Sequence, residues 1–199
     1  MAHIIKIPVI LAFPSLFQKS SAGEGKPSYN MKGIIDPSDE KTVSICEAAI
    51  IKVAEEEWGT KAKRIMEGFV RTGKKPDVFF VKDEYRSQEG NTYAGFEDMY
   101  YVTAKTQPDG ERPTVVDRSG KLVDEDSGLI YSGCRGIAHL DIWPQDNKWG
   151  KAVRATPIGF QFVGHGKKFS GGAAPAKLDS FENLGDLGED EDEDVNSLA

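Results

Sequence analysis

The chain has 199 residues, 39% of them hydrophobic, with ten Phe, six Tyr and three Trp. That is enough apolar material for one core with appendages and too much for a wholly disordered chain. The net charge of −7 is unevenly divided: from Asp179 onward there are nine acids and no Lys or Arg, which leaves residues 1–178 with 23 acids against 25 Lys and Arg, a net of +2. No apolar run approaches the ~18 residues of a membrane-spanning helix. Cys46 and Cys134 stand 88 residues apart and form no CxxC pair, which points to free, buried thiols in a reducing compartment.

In chain order, the apolar start IIKIPVILAF alternates with Lys6 and Pro8 and lacks a basic leader or a small-residue cleavage site, so Ile4 to Phe13 reads as a strand. Ser20–Ser28 is a turn or loop by composition, and Tyr29–Ile35 reads as a second strand, giving a hairpin. DPSDEKTVSICEAAIIKVAEEEWG is the one strong helix. Asp36 is placed to cap it, Pro37 suits its first position, and Asp39 sits where the helix dipole favours an acid. Val43, Cys46, Ile50, Val53 and Ala54 form its apolar stripe, and Gly59 is a natural stop. A weaker helical stretch follows from about Lys61 to Val70.

The chain then turns to strands. Asp77–Asp83, Asp98–Thr106, Pro113–Asp117, Gly133–Trp143 and Gly150–Gly164 are strand-like, separated by turn-rich segments. Gly164 to Lys177 is rich in Gly, Ala and Lys and reads as a flexible linker. Two strands, a helix and about five more strands describe an α+β, mostly antiparallel chain, expected to form a closed or partly open barrel. The expected divisions are a domain over 1–168, a linker over 169–178 and a disordered acidic tail over 179–199, six of whose acids (Glu189, Asp190, Glu191, Asp192, Glu193, Asp194) are consecutive.

Catalytic signatures are absent. His3, His139 and His165 are scattered, no spacing matches a zinc site, and there is no GxSxG, Walker or GxGxxG motif. No metal or cofactor is therefore expected. Asp117, Asp124 and Asp126 give one enzymatic alternative, a metal-dependent nuclease; a protein–protein adaptor acting through the tail is another. The stronger signal is cations interleaved with aromatics. Lys61 to Arg86 holds eight basic residues against four acids, with Phe79, Phe80, Tyr85, Tyr93, Phe96, Tyr100 and Tyr101 in or just after it. Strand alternation puts Tyr101, Thr103 and Lys105 on one face and Tyr100, Val102 and Ala104 on the other. The second set is expected in the core, the first on a ligand-facing surface. Cations that track phosphates beside aromatics that stack on bases suit single-stranded nucleic acid. The candidate contacts are Tyr101, Lys105, Arg135, Trp149, Lys151 and Arg154, with Arg71, Lys74 and Lys75 as a mobile basic loop.

FPSLFQK with GKPSYNMKGIIDPSDEKT, VVDRSGKLVDEDSGLIYSGCRGIAHLDIWP and KWGKAVRATPIGFQFV together resemble the phage single-stranded-DNA-binding proteins once grouped as a domain of unknown function. They span most of residues 10–163. The resemblance implies an OB-fold barrel, no enzymatic activity, and coating of single-stranded DNA in phage replication or recombination in the cytoplasm of the infected bacterial host. It also implies an acidic C-terminal tail; a polyanion resembles single-stranded nucleic acid in charge, so the tail is expected to compete for the groove and to recruit replication or recombination proteins once DNA displaces it. Phe181, Leu184 and Leu187, three residues apart, are the candidate docking side chains of that tail. The chain ends in NSLA, so a partner contact requiring a terminal Phe is not expected.

Overall fold

The computed structural model describes residues 2–21, 25–73 and 75–169. Strand β1 (His3–Ser20) carries the alternation of the N-terminal run: Ile7, Val9 and Leu11 point into the core, while Lys6 and Pro8 face outward. It pairs antiparallel with β2 (Ser28–Ile35) on one side and β6 (Arg135–Asn147) on the other. β1 breaks register with β2 after Ala12, where Phe13 adopts φ 48°, a left-handed conformation that L-residues rarely enter. The remaining strands are β3 (Phe80–Val81), β4 (Tyr100–Lys105), β5 (Thr114–Val116) and β7 (Gly150–Gly164), in the sheet order β3-β4-β2-β1-β6-β7-β5. Every pairing is antiparallel except β5 with β7.

The sheet curls into an OB-like barrel. Val78, just before β3, bridges Val153 of β7, and the Val153 N–H donates to Asp77 O at 2.8 Å. β7 thus joins the β3–β4 edge in its first half and β5 in its second. Val102, Ala104, Ala138, Leu140, Ile142 and Phe160 fill the interior with the inward row of β1.

Helix α1 (Glu40–Trp58) covers one end of the barrel with Cys46, Ala49, Ile50, Val53 and Ala54. Each larger side chain buried there contributes about 1.5–3 kcal/mol. Its cap is Asp39, which accepts the Thr42 N–H at 3.1 Å, and not Asp36. Asp36 instead accepts the N–H and hydroxyl of Ser38 and closes the turn containing Pro37, so the helix starts three residues later. Gly59 ends α1 at φ 52°, and a short 3₁₀ turn leads into α2 (Ala62–Glu67). Cys46 and Cys134 are both free and buried. Among the described residues no helix is long and apolar enough to cross a membrane.

The first residues of the Gly-, Ala- and Lys-rich stretch from Gly164 are packed. His165–Phe169 lies on the barrel: the Phe169 N–H donates to Ser132 O at 3.0 Å and its ring joins a second apolar cluster with Phe96 and Tyr101. The rest of the linker, and the tail with Phe181, Leu184, Leu187 and Glu189–Asp194, lie outside the described residues, as does Lys74.

Candidate nucleic-acid interface

The outer face of β1, β2 and β4 carries an open groove of about 450 Å³. Phe13, Pro14 and Ser15 of β1 line it together with Lys32, Thr103 and Lys105 and with Tyr85 and Tyr93. Tyr85 and Tyr93 belong to the loop between β3 and β4. Their rings stack at 5.1 Å between centroids with 19° between planes, and Phe13 meets Tyr93 edge-on at 5.2 Å. Phe13 is 44% exposed and Tyr93 37%. Exposed rings clustered in this way are platforms for a planar ligand. One carboxylate ties the loop together. Glu84 accepts from the Asp98 N–H at 2.8 Å, the Thr92 hydroxyl at 2.6 Å and Arg86 at 2.9 Å. These bonds, that of Asp98 foremost, hold its pKa down at about 2. Asp98 (φ 57°) and Phe13 (φ 48°) are the two non-glycine residues with left-handed φ among the described residues; Phe13 lines the groove, and the Asp98 N–H is held by Glu84.

Lys32 supplies the charge. Its ammonium lies 3.9 Å from the centre of the Tyr85 ring and 5.2 Å from that of Tyr101, and donates to Thr103 Oγ1 at 2.9 Å. It forms no carboxylate ion pair among the described residues, and burial lowers its pKa to about 8. A cation held by π-faces and one hydroxyl leaves its charge available to an incoming anion.

From Lys105 a line of contacts leads across the barrel seam. The Thr156 hydroxyl donates to Lys105 O at 3.4 Å and accepts from Trp143 Nε1 at 3.1 Å. Trp143 is the cross-strand partner of Arg154. Beyond them the β6–β7 hairpin ends at Trp149, 80% exposed, above a cleft of about 810 Å³ that also contains Lys61, Arg64 and Lys151.

The expected contacts divide accordingly. Lys105 lies in the groove; Trp149 and Lys151 line the hairpin cleft, where Lys151 pairs with Asp146 and lies over the Trp58 ring. Arg71 and Lys75 are exposed in the loop between α2 and β3, and Arg135 is exposed at the start of β6. Two expectations are corrected. Tyr101 does face outward with Thr103 and Lys105, but it is only 3% exposed, because the β3–β4 loop lays Tyr85 and Phe96 over it. It lies beneath Tyr85 and Phe96, covered from solvent. Arg154 is half-buried and donates to Pro76 O at 2.7 Å, so its guanidinium pins the root of the basic loop.

Phe13, Lys32, Tyr85 and Tyr93 were missing from the expected contacts. A signal for the tyrosines existed: aromatics in a turn-rich stretch without strand alternation have no inward row to occupy. The nuclease alternative finds two of its three acids, Asp117 and Asp124, engaged in turns. Asp117 accepts from Ser119 and Lys121, Asp124 accepts the Ser127 N–H, and no metal-holding group of three His, Cys, Asp or Glu occurs among the described residues.

The family model described as Enterobacter phage Enc34, ssDNA-binding protein, matches residues 2–195. The protein p50 of Acyrthosiphon pisum secondary endosymbiont phage 1 is 30% identical over 185 residues, 92% of this chain and 94% of p50. Among solved structures, the single-stranded DNA-binding protein from bacteriophage Enc34 in complex with ssDNA superposes with a TM-score of 0.63 at 18% identity, covering 84% of this chain and 89% of its own. The single-stranded DNA binding protein gp2.5 of bacteriophage T7 gives 0.55 at 16% identity, covering 93% and 98%.

Proposed function

The chain belongs to the family of the Enterobacter phage Enc34 single-stranded-DNA-binding protein, and from that premise we propose that it binds single-stranded DNA without regard to sequence, and without catalysis, in the cytoplasm of the infected bacterial host. The observation that carries the reading is the stacked Tyr85–Tyr93 pair with the Lys32 ammonium over Tyr85 in an open groove. Every base offers a π-face, so ring platforms hold DNA of any sequence, and cations track its backbone.

The strand path runs from Phe13, Tyr85 and Tyr93 over Lys105, past Trp143, to Trp149 and Lys151 at the hairpin tip. Arg71 and Lys75 flank the path, and Arg135, at the end of β6 away from the hairpin, contributes charge on the Phe13 side. β6 spans 13 residues, on the order of 40 Å of contour, compatible with the roughly 4–16 nucleotides held by one OB fold. The acidic segment 179–199 competes for this cationic path and recruits phage replication or recombination proteins once DNA displaces it; its charge is opposite to that of the path.

The test is fluorescence anisotropy with a labelled oligonucleotide over a range of salt. About five neutralised phosphates give a log–log slope near −3.5 for a single strand. A flat plot, or intact affinity in Tyr85→Ala/Tyr93→Ala, overturns the reading.

A further inference from the structure

His165–Phe169 follows β7 and lies on the barrel as a strap fixed at three points. At its start, the Tyr131 hydroxyl meets His165 Nδ1 and bonds both N and O of Gly166, each at 3.1 Å. In its middle, the strap crosses Gly133 backbone to backbone: a Cβ on Gly166 would collide with Gly133 O, and one on Gly133 with Lys167 O. At its end, the Phe169 ring lies on Gly95, where a Cβ would run into it. Glycine at both crossings permits an approach that any other residue blocks, so the docking is built into the sequence.

The strap leads to the groove. Ser132 accepts the Phe169 N–H on its carbonyl at 3.0 Å, while its hydroxyl accepts the Phe13 N–H at 3.0 Å. Phe13 holds its strained φ of 48° beside that bond and packs against Phe96 at 6.1 Å, in the cluster Phe169 completes. A residue in a sparsely populated conformation persists only where its surroundings over-determine it.

We propose that the strap is a working part of the DNA groove, with Phe169 a positioning residue that fixes Phe13 through Ser132 and the Phe96 cluster. This rests on the groove being the single-stranded-DNA site. Residues 165–169 then act as the last segment of the binding domain, and releasing them lowers the groove's affinity even though Lys167 and Lys168 stay in the chain.

The test uses the full chain. Phe169→Ala and Gly166→Ala, lesions at the end of the strap and at its crossing with Gly133, should each weaken oligonucleotide binding about tenfold, near the lower end of one lost base stack. Phe169→Leu, which keeps an apolar side chain on Gly95, should retain most of the affinity. Phe13→Ala combined with Phe169→Ala should bind no more weakly than Phe13→Ala alone, since both changes remove one platform. Unmodified affinity in Gly166→Ala, or additive losses in the double variant, overturns the proposal. If Phe169→Ala unfolds, Gly166→Ala decides. If Phe13→Ala itself binds like the unmodified chain, the groove assignment fails and the strap proposal with it.

Discussion

The ammonium of Lys32 rests 3.9 Å from the centre of the Tyr85 ring, and the same burial that creates this contact lowers its pKa to about 8. The two facts set function against stability. A phosphate beside Lys32 favours the charged form, so DNA binding raises its pKa. Affinity is then fullest below pH 8 and declines as pH rises through 8, where the free protein gives up the proton. Tyr85 and Tyr101 face Lys32 with their own pKa values raised by burial, Tyr101 to about 12, so they stay neutral through that window.

Folding responds with the opposite sign. The unfolded chain holds the Lys32 proton up to its ordinary 10.5, while the folded chain loses it near 8. Stability from this group therefore rises with pH between those values. Lys32→Met should remove the pH dependence of binding between 8 and 10, weaken binding at pH 7, and raise the melting temperature. Anisotropy and thermal unfolding at several pH values check all three.

Tyr85→Ala and Tyr93→Ala should leave the fold intact and weaken binding by about 1–3 kcal/mol each, equally on oligonucleotides of different sequence. Tyr101→Ala behaves differently: emptying its buried position should cost about 3 kcal/mol of stability, seen as a lower melting temperature before any effect on binding. A Tyr101→Ala variant that melts normally contradicts the assignment of this ring to the core.

Trp149 and Arg154 should separate in the same way at the hairpin. Trp149 is 80% exposed, so its removal should change stability by no more than ~0.5 kcal/mol, while abolishing most of the tryptophan fluorescence change on adding oligonucleotide. Arg154→Ala removes a charged donor from Pro76 O and should cost about 1.5–3 kcal/mol of stability. Its effect on binding should match that of freeing the loop with Arg71 and Lys75, which a combined Arg71→Ala/Lys75→Ala variant measures.

Deleting residues 179–199 changes the net charge from −7 to +2. If the segment competes for the groove, truncation should tighten DNA binding most at low salt, where screening over about 10 Å at 0.1 M is relaxed. The isolated tail peptide should then displace DNA from the truncated chain. Unchanged affinity with an inert peptide leaves only partner recruitment.

Sequence by itself determined the elements and their parity. Alternation in β1, the stripe of α1 and the outward row Tyr101–Thr103–Lys105 are local properties of the backbone, and each reappears in the fold. The mixture of cations and aromatics was legible for the same reason: composition needs no geometry. Tertiary structure alone decided which outward row meets solvent. Tyr101 is outward and still buried, because a loop without strand alternation folds Tyr85 and Phe96 over it; that loop stacks two unassigned tyrosines, Tyr85 and Tyr93, along the groove. Arg154 read as a surface cation until barrel closure brought Pro76 beside it. The glycines of 164–168 suggested a linker because composition records conformational freedom, whereas close packing against Gly133 and Gly95 depends on partners about 30 and 70 residues earlier in the chain. Parity is set by neighbours in sequence; exposure is set by whatever the rest of the chain lays on top.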